Sequence, residues 1–247
     1  MTVRIAAFNI LYGRYGSPEE IGRWMKEVDP DLVCLCESPG EYEWLDRAAG
    51  AMGLPHYVVG VLSSGIDLRV TGRTMKFKAI FSKTPLEPVA ELLCDGRGWS
   101  NGSATRARTT VGKRRFVVHS LHISGNPGSN PDSLERGHSH ALAESVMALD
   151  SEDSVLMAGD FNNRIDEAAL LLLEQAGLRP TWRDLPIDLD SEFSLCPLTP
   201  TSPDNRLIDH IYYDIASGAT ATDGRVLERA QPLSDHKPVW AAIEYPD

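Results

Sequence analysis

Apolar residues along the chain gather into short runs rich in β-branched and aromatic side chains, at 3–8, 32–36, 57–61, 77–81, 116–123, 155–158, 208–213 and 239–243. Their length and composition predict interior strands. Elsewhere the apolar positions recur at helical spacing, over 18–28 behind a Ser17 cap, 41–52, 133–149 and 167–175. Strands and helices do not alternate strictly, so the order predicts sheets packed face to face with helices on their outer sides and excludes a helical bundle. The stretches 124–131, SGNPGSNP, and 195–205, with three prolines, read as loops. No repeat, low-complexity tract or linker interrupts the pattern, so residues 1–247 are expected to form a single domain.

Polar residues able to do chemistry stand at the ends of these runs, where loops can present them to one cleft. Asn9 closes AFN and Glu37 closes LVCLCE. His122 ends RRFVVHSLH, Asp160 and Asn162 lie in GDFN, Asp209 opens DHIYY, and Asp235 with His236 precedes the last strand in SDHKPVW. Taken singly, each has an ordinary structural use. Asp160 and Asn162 suit an Asx-turn or helix cap, Asn9 a turn, and Glu37 a solvent-facing strand end. His236 suits a hydrogen-bonded histidine, and Asp209 a surface pair with Arg206. So many at strand ends would be a coincidence in a purely structural domain. His119 and His210 flank these positions, but strand alternation turns them to the opposite face, so they are expected to be structural.

Charge changes the picture in two ways. Across the chain, 24 Lys and Arg against 35 Asp and Glu give a net charge of −11, which disfavours nonspecific coating of nucleic acid or anionic membrane. Between positions 68 and 131, however, eleven basic residues face three acids. Such a run is either a solvated face or a local anion-binding wall. The four cysteines, Cys34, Cys36, Cys94 and Cys196, contain no C-x-x-C pair, and Cys34 and Cys36 share a strand face, so they read as reduced and structural. The start MTVRIAAFNI lacks a signal-peptide pattern and no window approaches a membrane span, so a cytoplasmic location without membrane or obligate protein partner is expected.

Carboxylates and an amide oxygen without zinc-like Cys or His spacing are hard donors suited to Mg²⁺ or Mn²⁺, which keep water and bind substrate phosphates. Histidines beside them can bind a phosphoryl oxygen or move a proton near neutral pH. In this order FNI, CES, AIFSKTPL, SLHIS, GDFN, RLIDHIYY and SDHKPV closely resemble the endonuclease/exonuclease/phosphatase superfamily with its deoxyribonuclease I-like fold. The resemblance runs nearly end to end. It implies a four-layer α/β/β/α sandwich, two mostly antiparallel sheets face to face with helices outside, and metal-assisted in-line attack of water on phosphorus.

Residue by residue, the resemblance implies Glu37 as the principal metal ligand, with Asn9 and Asp235 beside it. Asp160 would position or deprotonate the attacking water, and Asn162 would bond a non-bridging oxygen. His236, oriented by Asp209, would contact the phosphoryl group, and His122 would stabilise charge from the other side. One departure stands at Cys36, where many relatives carry a glutamine before the glutamate.

Fold does not name a substrate. From the basic stretch, Arg69, Lys76, Arg106 and Arg108 are candidate phosphate-binding residues. With no long insertion and only 7% aromatic residues, the chain is expected to act on a small phosphorylated molecule or nucleotide. A DNA or RNA endonuclease or exonuclease is the first alternative, and a catalytically silent binding protein on the same fold the second.

Overall fold

The apolar runs become the inner strands of two sheets in a computed structural model that describes residues 1–61, 65–67, 74–93, 103–123, 153–196 and 205–246. The first sheet contains β1 (Thr2–Asn9), β2 (Leu32–Ser38), β3 (His56–Val59), β4 (Gly65–Asp67), β5 (Thr74–Ser82), β12 (Thr220–Val226) and β13 (Val239–Glu244). Its order is β12-β13-β1-β2-β5-β3, with β4 also paired to β5. The second contains β6 (Glu87–Leu93), β7 (Ser103–Val111), β8 (Arg114–His122), β9 (Ser154–Asp160), β10 (Leu178–Pro180) and β11 (Asp209–Asp214), in the order β10-β11-β9-β8-β7-β6. Pairing is antiparallel except for β1 with β2 and β8 with β9. These two parallel pairs are central, and β1 lies over β9 while β2 lies over β8. Four strand ends, at Asn9, Glu37, His122 and Asp160, therefore open on one edge of the sandwich.

Alternation sorts the side chains into layers. Val3, Ile5, Ala7, Leu32, Cys34 and Ile80 of the first sheet share a core with Phe116, Val118, Leu156, Ala158 and Ile211 of the second. The intervening Ala6, Phe8, Val33, Leu35, Ala79 and Phe81 face the other way, onto α1 (Pro18–Lys26) and α2 (Tyr42–Met52). α1 begins in a reciprocal cap, where the Glu20 N–H donates to Ser17 Oγ at 3.2 Å and the Ser17 N–H donates to Glu20 Oε2 at 2.9 Å. Gly22 lets α1 and α2 approach, since a Cβ there would stand 2.6 Å from that of Ala51. α3 (Ala168–Gln175) belongs to the second sheet's side, burying Leu170 and Leu173 in the same core as Trp182 and Tyr212. Among the described residues no helix is long and apolar enough to cross a membrane.

All eight apolar runs lie within or overlap strands, and three of the four expected helices form. The fourth, over 133–149, and the loop over 124–131 lie outside the described residues, as does most of the loop over 195–205. β4, β6, β7, β10 and β12 are additional. β12, TATDGRV, has a mostly exposed pattern and pairs only with β13, so it carries no apolar run to signal it.

Candidate active site

A local irregularity delivers Glu37. Leu35 pairs with Ala79 and Ser38 with Phe77, so Cys36 and Glu37 together oppose the single residue Lys78. This is a β-bulge, and Glu37 adopts a φ of 49° within it. Regular alternation would send Glu37 to the face opposite Cys36; the extra residue returns it to the inter-sheet side. There its carboxylate pairs with the Lys76 ammonium and lies 4.0 Å from His122 Nε2. Burial works to raise the Glu37 carboxyl, but His122 and Lys76 outweigh it and hold the group below its ordinary value.

Asp160 stands at the centre of the cluster. Its Oδ2 accepts from Asn9 Nδ2 at 3.0 Å and lies 3.4 Å from His122 Nε2 and 3.7 Å from His236 Nε2. Its Oδ1 accepts from the Asn162 N–H at 2.8 Å. Asn9 is fixed in turn, its Oδ1 accepting from the Leu11 N–H at 3.1 Å. Of the five non-glycine residues with positive φ among those described, Leu11, Tyr12, Glu37 and Asn162 border this cluster in sequence. Backbone strain concentrates where side chains must be aimed.

Asp209 and His236 form a buried pair, with His236 Nδ1 2.7 Å from Asp209 Oδ2. Two serines hold them. Ser194 Oγ accepts from the Ile208 and Asp209 N–H groups at 3.1 and 3.0 Å, and Ser234 Oγ accepts from the His236 N–H at 3.2 Å. Burial works to lower the His236 imidazole, yet Asp209 and then Asp160 push it up to about 10, so it is an imidazolium at neutral pH. Asp160 moves upward too, chiefly through burial and the neighbouring Asp209, against the pull of His236, His122 and Asn9. Ligand atoms of Asp160, Asp209 and His236 all fall within 4.8 Å of one another, a buried group able to bind a metal ion.

A profile of the Endonuclease/Exonuclease/phosphatase family matches residues 6–236. The chain belongs to this family. Its members are generally phosphoester-hydrolysing enzymes and often use divalent metals. No curated protein matches the chain in sequence. Among solved structures, an endonuclease/exonuclease/phosphatase from Beutenbergia cavernae superposes with a TM-score of 0.79 at 18% identity, covering 99% of this chain and 72% of that one. A family protein from Bacteroides vulgatus gives 0.75 at 15%, with all of both chains covered. TDP2 from D. rerio, complexed with a single-strand DNA product, gives 0.73 at 14%, covering 98% and 99%. At these identities the likeness establishes the deoxyribonuclease I-like sandwich.

Within this family member, the direct contacts above join Asn9, Glu37, Lys76, His122, Asp160, Asp209 and His236 in one network. The Asn162 backbone belongs to it, but its side-chain amide donates to Ile123 O at 2.7 Å. Asp235 is half-buried beside His236, its Oδ1 accepting from Ser234 Oγ at 3.1 Å. The basic candidates divide. Lys76 reaches the site. Arg106 is turned to the Ala90 carbonyl at 2.6 Å, three residues down β7 from Ser103, which pairs with His122. Arg108 binds Asp153 at 3.0 Å, seven residues before Asp160 and thus at the far end of β9. Spacing alone does not show which end of a strand a side chain serves. Arg69 lies outside the described residues.

His119 and His210 occupy the opposite face from His122 and Asp209. Burial pushes them down to about 3 and about 4, which keeps both neutral. His210 Nδ1 accepts from Trp182 Nε1 at 3.1 Å, and its Nε2 lies 2.7 Å from Asn163 O, bracing the turn that follows Asp160. Sequence reasoning missed this brace, the Lys76–Glu37 pair and the Ser194 and Ser234 supports. Each depends on partners distant in sequence or on a single serine among many.

The donor chemistry fits a hard divalent ion. Glu37 offers a carboxylate beside the Lys76 ammonium and the His122 ring, and the network carries on through His122 to the Asp160 carboxylate and from Asp160 to the Asn9 amide, a set of oxygen donors of the kind such ions take. A metal held by Asp160, Asp209 and His236 themselves would require His236 to surrender the proton that Asp209 and Asp160 favour.

Proposed function

We propose that the protein is a divalent-metal-dependent phosphoesterase that hydrolyses a small phosphorylated molecule or nucleotide by in-line attack of water. The supporting observation is the convergence of Glu37, Asn9, His122, Asp160, Asp209 and His236, from both sheets, at one edge of the sandwich. Phosphate esters resist attack through their own negative charge, so fixed positive charge must offset it in the transition state. Glu37, with Asn9 and Asp235, would hold Mg²⁺ or Mn²⁺, which when bound would supply part of that offset.

The chain's own groups do the rest. The Asp160 carboxylate, raised toward a more basic value, orients the water and takes its proton. The His236 imidazolium, kept charged by Asp209, donates to a phosphoryl oxygen, and His122 approaches from the other side. Lys76, already at the Glu37 carboxylate, adds a positive charge for the substrate phosphate. Since Arg106 and Arg108 turn to other partners, the cations placed at the cleft among the described residues are Lys76 and the His236 imidazolium rather than a track of arginines, which favours a compact substrate over a polymer.

Phosphate release from nucleotides, sugar phosphates and inositol phosphates, measured with Mg²⁺ beside nicking of supercoiled plasmid, tests the reading. Metal-dependent release from a small ester is expected. Plasmid nicking alone would shift the assignment to a nuclease, and silence in both arms would leave a binding protein.

A further inference from the structure

The departure at Cys36 acquires a role from the geometry. Its side chain is fully buried between the sheets, on the bulge that aims Glu37. Cys36 Sγ lies 2.9 Å from Leu121 O, to which the thiol donates, and accepts from the Asp160 N–H at 3.4 Å. Leu121 precedes His122 in β8. One atom of β2 thus holds the backbone under His122 on one strand and under Asp160 on the next, while its own neighbour is Glu37. The opposing surface is shaped to receive it. Gly159 has a φ of 150°, and a Cβ there would stand 2.1 Å from Leu121 O and 3.1 Å from Cys36 Sγ.

We propose that Cys36 is a positioning residue for hydrolysis: its thiol clamps the Leu121 carbonyl and the Asp160 amide, setting His122 and Asp160 in register with Glu37. The inference rests on the functional reading above. It differs from packing in what it requires, because a filler needs only volume, whereas a clamp must both donate and accept. Serine can do both with a smaller atom, and alanine can do neither.

Cys36→Ala and Cys36→Ser are compared with wild type by steady-state kinetics on the best small ester and by hydrogen exchange at the Asp160 amide. Cys36→Ala is expected to lower kcat about tenfold or more with KM changed less than twofold, on the scale of a displaced catalytic group. Its Asp160 amide should exchange faster. Cys36→Ser should recover most of kcat and of the protection, and it carries the test alone if the alanine variant does not fold. Equal kcat and equal exchange in wild type and Cys36→Ala would overturn the proposal, as would a serine variant as slow and as unprotected as alanine. Wild-type protein inactive on every ester would instead overturn the functional reading itself, a result distinct from an active wild type matched by its alanine variant.

Discussion

In the proposed mechanism Asp160 and His236 divide the chemistry of the site, and their substitution should separate rate from binding. Asp160→Ala or His236→Ala is expected to lower kcat by about 100-fold or more, the scale of lost acid–base assistance, while KM moves far less. Near-normal turnover of both in a metal-replete assay would refute their assignment. The Asp209–His236 pair also fixes a pH dependence. His236 is raised from 6.5 to about 10, so its contribution to stability is whole below the lower value and is lost as pH climbs through the higher. Asp209→Asn removes the largest charge raising it, and the His236 titration followed by NMR should then move to lower pH. An unmoved titration would mean that Asp209 does not set the charge of the ring. Most of these residues were legible because they punctuate apolar runs; the role of Cys36 was not, since a cysteine inside LVCLCES looks like any other buried apolar residue.

At the level of elements, the site depends on two parallel strand pairs and one bulge. The pairs were foreseeable only as strands: periodicity gives β1, β2, β8 and β9 but not their neighbours. β7, SATRARTTV, carries polar residues through most of its length and was invisible for that reason. The bulge leaves no sequence mark, because it arises from the register of β2 on β5. Gly159 is where backbone geometry is least forgiving. Gly159→Ala places a Cβ against Leu121 O and is expected to cost about 2–3 kcal/mol in urea unfolding, with loss of activity beyond what stability explains. Full stability of this variant would contradict the close approach of β8 and β9. On the far side of the first sheet, Ser17→Ala removes only a cap, and a loss of about 1 kcal/mol with unchanged kcat is expected.

For the whole molecule, a net charge of −11 and a cluster of acids at one edge demand a counter-charge before a phosphate can enter. Lys76 and the His236 imidazolium supply part of it, and the divalent ion proposed at Glu37 would supply the rest. The positive run in the sequence reads as either a solvated face or a local anion-binding wall. In the fold the described part of that run divides: Lys76 of β5 reaches the site, while Arg108 and Arg115 neutralise Asp153 at the far end of β9 instead. Calorimetric titration of metal-free protein with Mn²⁺, repeated on Glu37→Gln, measures the counter-charge directly. Saturable uptake by the wild type that disappears in the variant is the expected result; no uptake, or equal uptake by both, would contradict a metal-assisted site built on Glu37.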